Sequence, residues 1–497
     1  MRVTIFLIGS VFPNQGYGGA QKILREVALY LGQAGHHVTI LCAKCQNNSE
    51  AFILGPNVTV LPILRLKESF PEPYYTAPYN LSGLIRDVHR YLDNSDVFYV
   101  HGGEFPFHFL HSHIPTAISF RDFVYPDNLA NGLLVRRDRL ILSSEYLAGC
   151  VADTFSLFCP AIANRIQVIP NGCELTRFKP TPPSRLQAQI PLPEDAIPIL
   201  YPHRSDPKKG IYEALAVVQR LRQRLGTKGD RLRLLIPVWS TPTPTTQTVA
   251  PTLGATVTAP PTNEYDAVYQ QAVELGIADL LVFHPWVGYD LLPEYYSLGA
   301  VTLCIGNFVE AFGNVQLESI ACGTPCVLAR VGSYRHVLPD ALAAKVDHGD
   351  TEATVEAVMA AIATPYDTET AREFLASHYS YDHMLRQYEH TLATLTLSAP
   401  VTEQYCDRLS PKDWLKLPTW CHQTSRGLYN DYKYGYETDP HLMSVLQQVS
   451  FPTTVENLLA QGLTLEHLEQ WLSQGSLVTY HPRLHPIGTP AQDYATV

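Results

Sequence analysis

Apolar positions along this chain follow two alternating patterns. Short continuous runs at Val3–Gly9, Val38–Ala43, Val58–Leu64, Val97–Val100, Thr116–Phe120, Leu140–Leu142 and Ile166–Ile169 read as buried strands. Between the first two runs, Ile23, Leu24, Val27 and Leu31 recur at helical spacing, predicting a helix from about Ala20 to Gln33 that ends at Gly35. The pattern then restarts. Strands are expected at Ile199–Pro202, Leu232–Ile236, Leu280–His284, Val301–Ile305 and 326–329, with helices after Gly210, near Tyr265–Leu275 and at 314–322. Strands without a polar face, alternating with helices, call for a parallel sheet covered on both sides. The expected class is α/β, with two doubly wound, Rossmann-like halves.

Punctuation sets the boundaries. The Pro-rich stretch 179–198 reads as a linker, which separates a first domain over 1–180 from a second over 195–378. The Thr/Pro-rich tract 237–261 holds too few bulky apolar residues to pack and is expected as a surface loop. Helices near 352–363 and 368–377 close the second half, and a Tyr381–Leu395 helix follows. Residues 403–497 differ in character, with Trp414, Trp420 and the cluster Tyr429, Tyr432, Tyr434 and Tyr436. The run VENLLAQGLTLEHLEQWLSQGSLVTY then reads as two short helices and a strand. A small, mostly α appendage, winged-helix-like, is expected there.

The densest chemistry lies in VEAFGNVQLESIACGTPCVLAR, residues 309–330. Glu310 and Glu318 bracket a Gly-containing turn leading into a helix with Asn314 as its N-cap, Gly323 at its left-handed C′ position and Pro325 beyond. Free N–H groups at a helix start form a ready anion site, commonly for a diphosphate. A carboxylate one turn further in can accept hydrogen bonds from a sugar diol. Taken alone, the segment is equally an ordinary strand–turn–helix–strand unit with two solvated glutamates. In doubly wound folds ligands bind beyond the carboxyl ends of strands. Gly18 and Gly19 follow the first strand there, where glycine allows backbone to approach a phosphate. Arg204 and Lys209 follow the first strand of the second half, where two cations can neutralise a departing diphosphate. His101, at the end of the Val97–Val100 strand, is expected to line the acceptor side.

These motifs together resemble the donor site of retaining GT-B glycosyltransferases, in particular glycosyltransferase family 4. The resemblance rests on EAFGNVQLE followed by ACGTPCV, the Gly16–Lys22 turn, IQVIPNGCELTRFKP at 166–180 and YPHRSDPKKG at 201–210, and covers about residues 1–397. It implies two domains facing a cleft, with a helix at about 380–397 crossing back onto the first. By the same resemblance, Glu318 would hold the ribose and Glu310 would face the donor sugar. The Gly313, Asn314 and Val315 backbone would contact sugar and phosphate, and Pro285–Tyr289 would lie beside the base. Of the lysine pair, Lys209 precedes Gly210 as in the family pattern. One departure stands out: Arg121 occupies the place of a family histidine after the Thr116–Phe120 strand, with Asp122 next to it. Arginine cannot act as a base but can bind an oxyanion, and Asp122 is expected to orient it.

The implied reaction is transfer of a hexose-type sugar from a nucleotide-diphosphate sugar to a hydroxyl acceptor, whether glycan, lipid-linked or small. No metal or other cofactor is expected. Two alternatives keep the fold: a nucleotide-sugar epimerase or phosphorylase, and a non-catalytic sugar-nucleotide-binding scaffold. The chain of 497 residues has a net charge of −11 and no dense basic run, which argues against nucleic acid. No stretch reaches the ~18 apolar residues of a membrane span, although peripheral membrane contact stays compatible. Ten cysteines suit buried thiols in a reducing cytoplasm. Cys42 and Cys45 form a C-x2-C without a second pair, and His108, His111 and His113 lack a nearby acidic ligand, so neither group reads as a metal site. The absence of any Asp-x-Asp pair weakens the rival metal-dependent transferase fold.

Overall fold

The computed structural model describes all residues except 14–17, 46–47, 67–76, 103–107, 125–137, 205, 239–264, 400–408 and 482–497. The Thr/Pro-rich tract falls largely outside the described residues. Two compact units emerge, one from Met1–Asn171 with the described residues from Asp382 onward, the other from Gly172–Tyr381.

The first unit is built on an eight-stranded sheet, ordered β3-β4-β2-β1-β5-β6-β7-β8. Its strands are β1 (Arg2–Leu7), β2 (His37–Ala43), β3 (Phe52–Gly55), β4 (Val58–Leu64), β5 (Val97–His101), β6 (Thr116–Phe120), β7 (Arg139–Leu142) and β8 (Ile166–Val168). All neighbours are parallel except β3 on β4. Every residue of β5 and β6 is buried, as expected for strands with helices on both faces. The helix Gly18–Gln33 begins two residues before the predicted start, so Gly18 and Gly19 are its first residues. The helix Tyr381–Ala393 belongs to this unit from Asp382 on, burying Met384, Leu385, Tyr388 and Leu392.

The second unit has a six-stranded, all-parallel sheet, ordered β11-β10-β9-β12-β13-β14. Here β9 is Ile197–Leu200, β10 Leu232–Val238, β11 Leu281–Pro285, β12 Val301–Cys304, β13 Cys326–Ala329 and β14 Ala344–Val346. Side chains alternate between two cores. Leu200, Leu235, Val282 and Cys304 pack on one face, while Ile199, Leu234, Ile236, Phe283 and Leu303 pack on the other. This period of two explains why the strands read as continuous apolar runs. Leu186 and Ile190, from the Pro-rich stretch taken as a linker, are buried in the first of these cores.

The C-terminal region packs with the first unit. The two helices and strand expected from its sequence are present at Val455–Ala460, Leu465–Ser473 and Val478–Tyr480, preceded by a further helix at Pro440–Gln448. Two three-stranded antiparallel sheets complete the region, one of which includes the Val478–Tyr480 strand. Their strands are two to four residues long, too short for periodicity to announce. The region has its own core around Leu415, Leu428, Leu442, Val455, Leu458, Leu468 and Trp471. Among the described residues, no helix is long and apolar enough to cross a membrane.

Candidate functional site

The second unit gathers its candidate residues through backbone contacts that two glycines permit. Beyond β9, Asp206 caps a short turn, Pro207–Lys209, by accepting from the Lys208 amide at 2.9 Å. Gly210 follows with φ 91°, and a Cβ there would stand 2.6 Å from the Gly306 nitrogen. At Gly306 a Cβ would stand 2.2 Å from the Lys208 carbonyl. Only glycine fits both places, so the turn after β9 packs directly against the segment after β12. The Phe308 amide then donates to the Lys208 carbonyl at 2.8 Å.

This packing brings Lys209 onto Glu310. Their side chains form an ion pair, and the Lys209 ammonium also sits 3.5 Å from the centroid of the Phe308 ring. Side-chain exposures of 15 % for Lys209 and 20 % for Glu310 leave the pair largely desolvated yet reachable. The glutamate backbone is fixed as well, because the Ser333 amide donates to its carbonyl at 3.0 Å. Arg204 lies earlier in the same loop, where its carbonyl accepts from the Tyr201 hydroxyl at 3.2 Å. Its half-buried guanidinium makes no ion pair or side-chain hydrogen bond among the described residues. The structure therefore joins Lys209 to Glu310 but not Arg204 to either.

The helix after Glu310 spans Asn314–Ala321, against the expected 314–322, and its cap differs. Gly313, with φ 80°, is the N-cap, and Asn314 is the first helical residue rather than the cap. A side chain at Gly313 would collide with Tyr334, 2.4 Å away, so the cap is a bare backbone turn. The cap residue itself therefore supplies no side-chain hydrogen bond to the helix start. Glu318 is 9 % exposed and accepts a hydrogen bond from the Tyr296 hydroxyl at 3.0 Å. Tyr296 thus sets the carboxylate's orientation, a partner that sequence reasoning missed. At the C-terminus of the helix, Gly323 takes the expected left-handed conformation, φ 91°. In the segment Pro285–Tyr289, Trp286 is 45 % exposed and the Arg177 guanidinium lies 4.5 Å over the Tyr289 ring.

The first unit holds its candidates in a buried polar network. Tyr99 and His101 lie two apart on β5, and Ser119 and Arg121 two apart at the end of β6, so all four share one sheet face. His101, expected to line the acceptor side, is only 1 % exposed. One ring nitrogen, Nε2, lies 2.9 Å from the Ala20 carbonyl, and the other, Nδ1, 2.8 Å from the Tyr99 hydroxyl. A carbonyl only accepts, so Nε2 carries the proton. Burial, and secondarily the Arg121 charge, push the His101 pKa well below its usual value, against the opposing effect of the Ala20 bond. The ring is neutral, and its Nδ1 faces the Tyr99 hydroxyl, which donates to Ser119 Oγ at 2.9 Å. His101 therefore ties the first turn of the Gly18–Gln33 helix to β5 and is not open to solvent.

Arg121 turns into the same network. Its guanidinium donates to the Tyr388 hydroxyl, to Asn171 Oδ1 at 3.2 Å and to the Tyr99 hydroxyl at 3.4 Å, and its Nε is buried without a partner. The expected bidentate pair with Asp122 is not formed, since Asp122 Oδ1 accepts instead from the Val124 amide at 3.4 Å. Among the described residues this half-buried guanidinium has no carboxylate partner. Tyr99, Ser119, Asn171 and Tyr388 were missed by the sequence reading. The available signal was the period-two polar positions in otherwise apolar strands. His111 packs inward against Phe98, with Nδ1 2.9 Å from Thr116 Oγ1.

Comparison with known proteins agrees with this arrangement. The family model for glycosyltransferase family 4 matches residues 17–177, and that for glycosyl transferases group 1 matches 184–376. A D-inositol 3-phosphate glycosyltransferase from Geodermatophilus obscurus is 31 % identical over 232 residues, covering 46 % of this chain and 47 % of that protein. The Acidothermus cellulolyticus enzyme of the same name is 32 % identical over 204 residues, covering 41 % and 40 %. The chain thus spans about half the length, or less, of the curated relatives it matches. Among solved structures, a sucrose-phosphate synthase from Thermosynechococcus elongatus aligns with TM-score 0.59 and 18 % identity, over 78 % of this chain and 97 % of that one. Anabaena HepE in complex with UDP-glucose aligns with TM-score 0.56 and 14 % identity, over 80 % and 100 %. With both family models matching in chain order and these GT-B neighbours sharing the fold, the chain belongs to the family 4-like glycosyltransferases of the GT-B fold.

Proposed function

We propose that this protein is a retaining glycosyltransferase that moves a hexose-type sugar from a nucleotide-diphosphate sugar to a hydroxyl acceptor, without a metal ion. The observation that carries the reading is the Lys209–Glu310 pair, set one short turn before a helix whose cap is a bare glycine backbone. In the unliganded protein Glu310 neutralises Lys209. An arriving diphosphate competes for the ammonium and frees the carboxylate to face the donor sugar. As the glycosidic bond breaks, charge grows on the leaving diphosphate, and Lys209, Arg204 and the amides of Gly313, Asn314 and Val315 meet it. Glu318, held by Tyr296, suits a ribose diol. No side chain is assigned as nucleophile, so the leaving phosphate itself takes the acceptor proton on the face it departs from, and the protein contributes positioning and charge stabilisation.

The relatives' names support a polyol phosphate among the acceptors to try, and the UDP and UDP-glucose complexes of HepE support a uridine donor. The test is turnover by chelator-treated protein on UDP-, GDP- and ADP-sugars, each with sugars, polyols and their phosphates. A new glycoside of unchanged anomeric configuration, formed in EDTA, is the expected outcome. Conversion of donor alone into an epimeric nucleotide sugar would replace this reading with the epimerase one. Rescue only by a divalent ion would overturn the metal-free mechanism.

A further inference from the structure

The C-terminal region is seated along one helix of the first unit, and its two ends of contact differ in kind. That helix, Glu145–Phe155, follows β7, with Ser144 as N-cap accepting from the Leu147 amide at 3.1 Å. In a doubly wound sheet such a helix starts at the carboxyl edge of its strand, the edge where ligands bind. At the far end, Asp153 accepts from the Thr419 amide and hydroxyl, each at 2.7 Å, and pairs with Lys416 at 2.6 Å. Ser156 meets Thr479 Oγ1 at 3.0 Å, and its carbonyl lies 2.7 Å from His481. Midway, a Cβ at Gly149 would lie 2.5 Å from Thr419 Oγ1, so the region lies directly on the helix backbone. These contacts anchor.

At the near end the contacts reach the ligand edge. Tyr146, in the first turn of the helix, donates to Asp431 Oδ2 at 2.7 Å, and Asp431 has no solvent exposure. Tyr432 follows, packed edge-on against Trp420 at 6.0 Å between ring centroids. Its pKa is raised well above the usual value, first by burial and then by Cys150, Asp431 and Asp122. Cys150 is one turn along the same helix, and Asp122 follows directly after β6. The turn carrying Asp431 and Tyr432 thus sits on the start of this helix.

We propose that the C-terminal region is a built part of the acceptor side of the first unit: its Asp431–Tyr432 turn fixes the start of the 145–155 helix, and so sets which hydroxyl acceptor is taken. This rests on the reading of the protein as a glycosyltransferase. Asp431 and Tyr432 are positioning residues, buried among the groups they hold.

The experiment uses the full chain with Tyr146→Phe and Tyr432→Phe at the near end and Lys416→Met at the far end. For each, Tm, UDP affinity and the acceptor KM and kcat are measured, together with amide exchange at Leu147, whose N–H is held by the Ser144 cap at the helix start. The near-end variants should raise acceptor KM at least fivefold and speed exchange at Leu147, with kcat and UDP affinity within twofold of wild type. Lys416→Met should lower Tm while KM stays within twofold. Equal KM in all three variants, or KM tracking Tm across all three, overturns the proposal. A wild type inert on every acceptor defeats the functional reading itself. In that case unchanged exchange at Leu147 in both near-end variants also defeats the structural link, and faster exchange upholds it.

Discussion

The two units treat charge in opposite ways. In the second, Lys209 and Glu310 neutralise each other at a partly exposed position beside a helix start. In the first, Arg121 is turned inward on two tyrosine hydroxyls and an asparagine amide, without a carboxylate among the described residues. A self-neutralised pair can exchange one partner for an incoming anion at little cost, whereas a guanidinium held by several neutral oxygens cannot move without orphaning them. The difference separates a place for chemistry from a place for scaffolding, and it shifts Arg121 from a suspected ligand contact to a structural tie between β6, Asn171 and the Tyr381–Ala393 helix.

The most severe break of this contrast should come from the second unit. Lys209→Ala and Glu310→Ala are each expected to lower kcat about 100- to 1,000-fold, roughly 3–4 kcal/mol, by analogy with losing one preorganised charge-stabilising group. Tm should hold close to wild type, and steady-state kinetics beside a thermal melt reads both. Next, Arg121→Ala should act chiefly on folding. It leaves Tyr99, Tyr388 and Asn171 short of a donor, at about 2–3 kcal/mol of stability in urea unfolding. If Arg121→Ala instead folds like wild type and loses activity tenfold or more, Arg121 is a substrate contact after all and the contrast fails.

Glu318→Ala should weaken donor binding by about 1.5–3 kcal/mol, the range for a hydrogen bond to a charged group. Tyr296→Phe, which removes only the orienting hydroxyl, should weaken it less, and calorimetric titration with nucleotide separates the two. The smallest effect is on acid stability. His101 lies well below its ordinary pKa, and His203 and His284 are pushed down to about 3 and about 4, in each case mainly by burial. Unfolding lets these rings take up protons at their ordinary pKa near 6.5, so the unfolded state binds more protons below that pH. Stability is full above about pH 6.5 and declines as the pH falls towards 4. A His101→Gln variant should flatten that decline, as read from Tm against pH.

What the sequence disclosed follows from how local each feature is. The strand–turn–helix around Glu310 and Glu318 is written within a few consecutive turns, so spacing and glycines were enough to place it. The same holds for β9 to Gly210. The Lys209–Glu310 contact itself needed the third dimension, because it depends on Gly210 and Gly306 allowing two distant backbones to touch. The Arg121 network draws on residues 99, 101, 119, 121, 171 and 388, which no window of sequence brings together. Arg121 at a strand end looked like a ligand group because its neutral partners were invisible. Likewise, the tyrosine cluster of the C-terminal region gave no sign that Asp431 would meet Tyr146.

The central claim is that the second unit holds a nucleotide diphosphate on Lys209, Glu318 and the bare helix start, with no metal. Thermal shift of the wild-type protein and of Glu318→Ala against UDP, GDP and ADP, all in EDTA, tests it most directly. At 100 times Kd, one nucleotide should stabilise the wild type by about 2.7 kcal/mol, and Glu318→Ala should lose most of that shift. No shift with any nucleotide at millimolar concentration, or an equal shift in Glu318→Ala, would contradict the account.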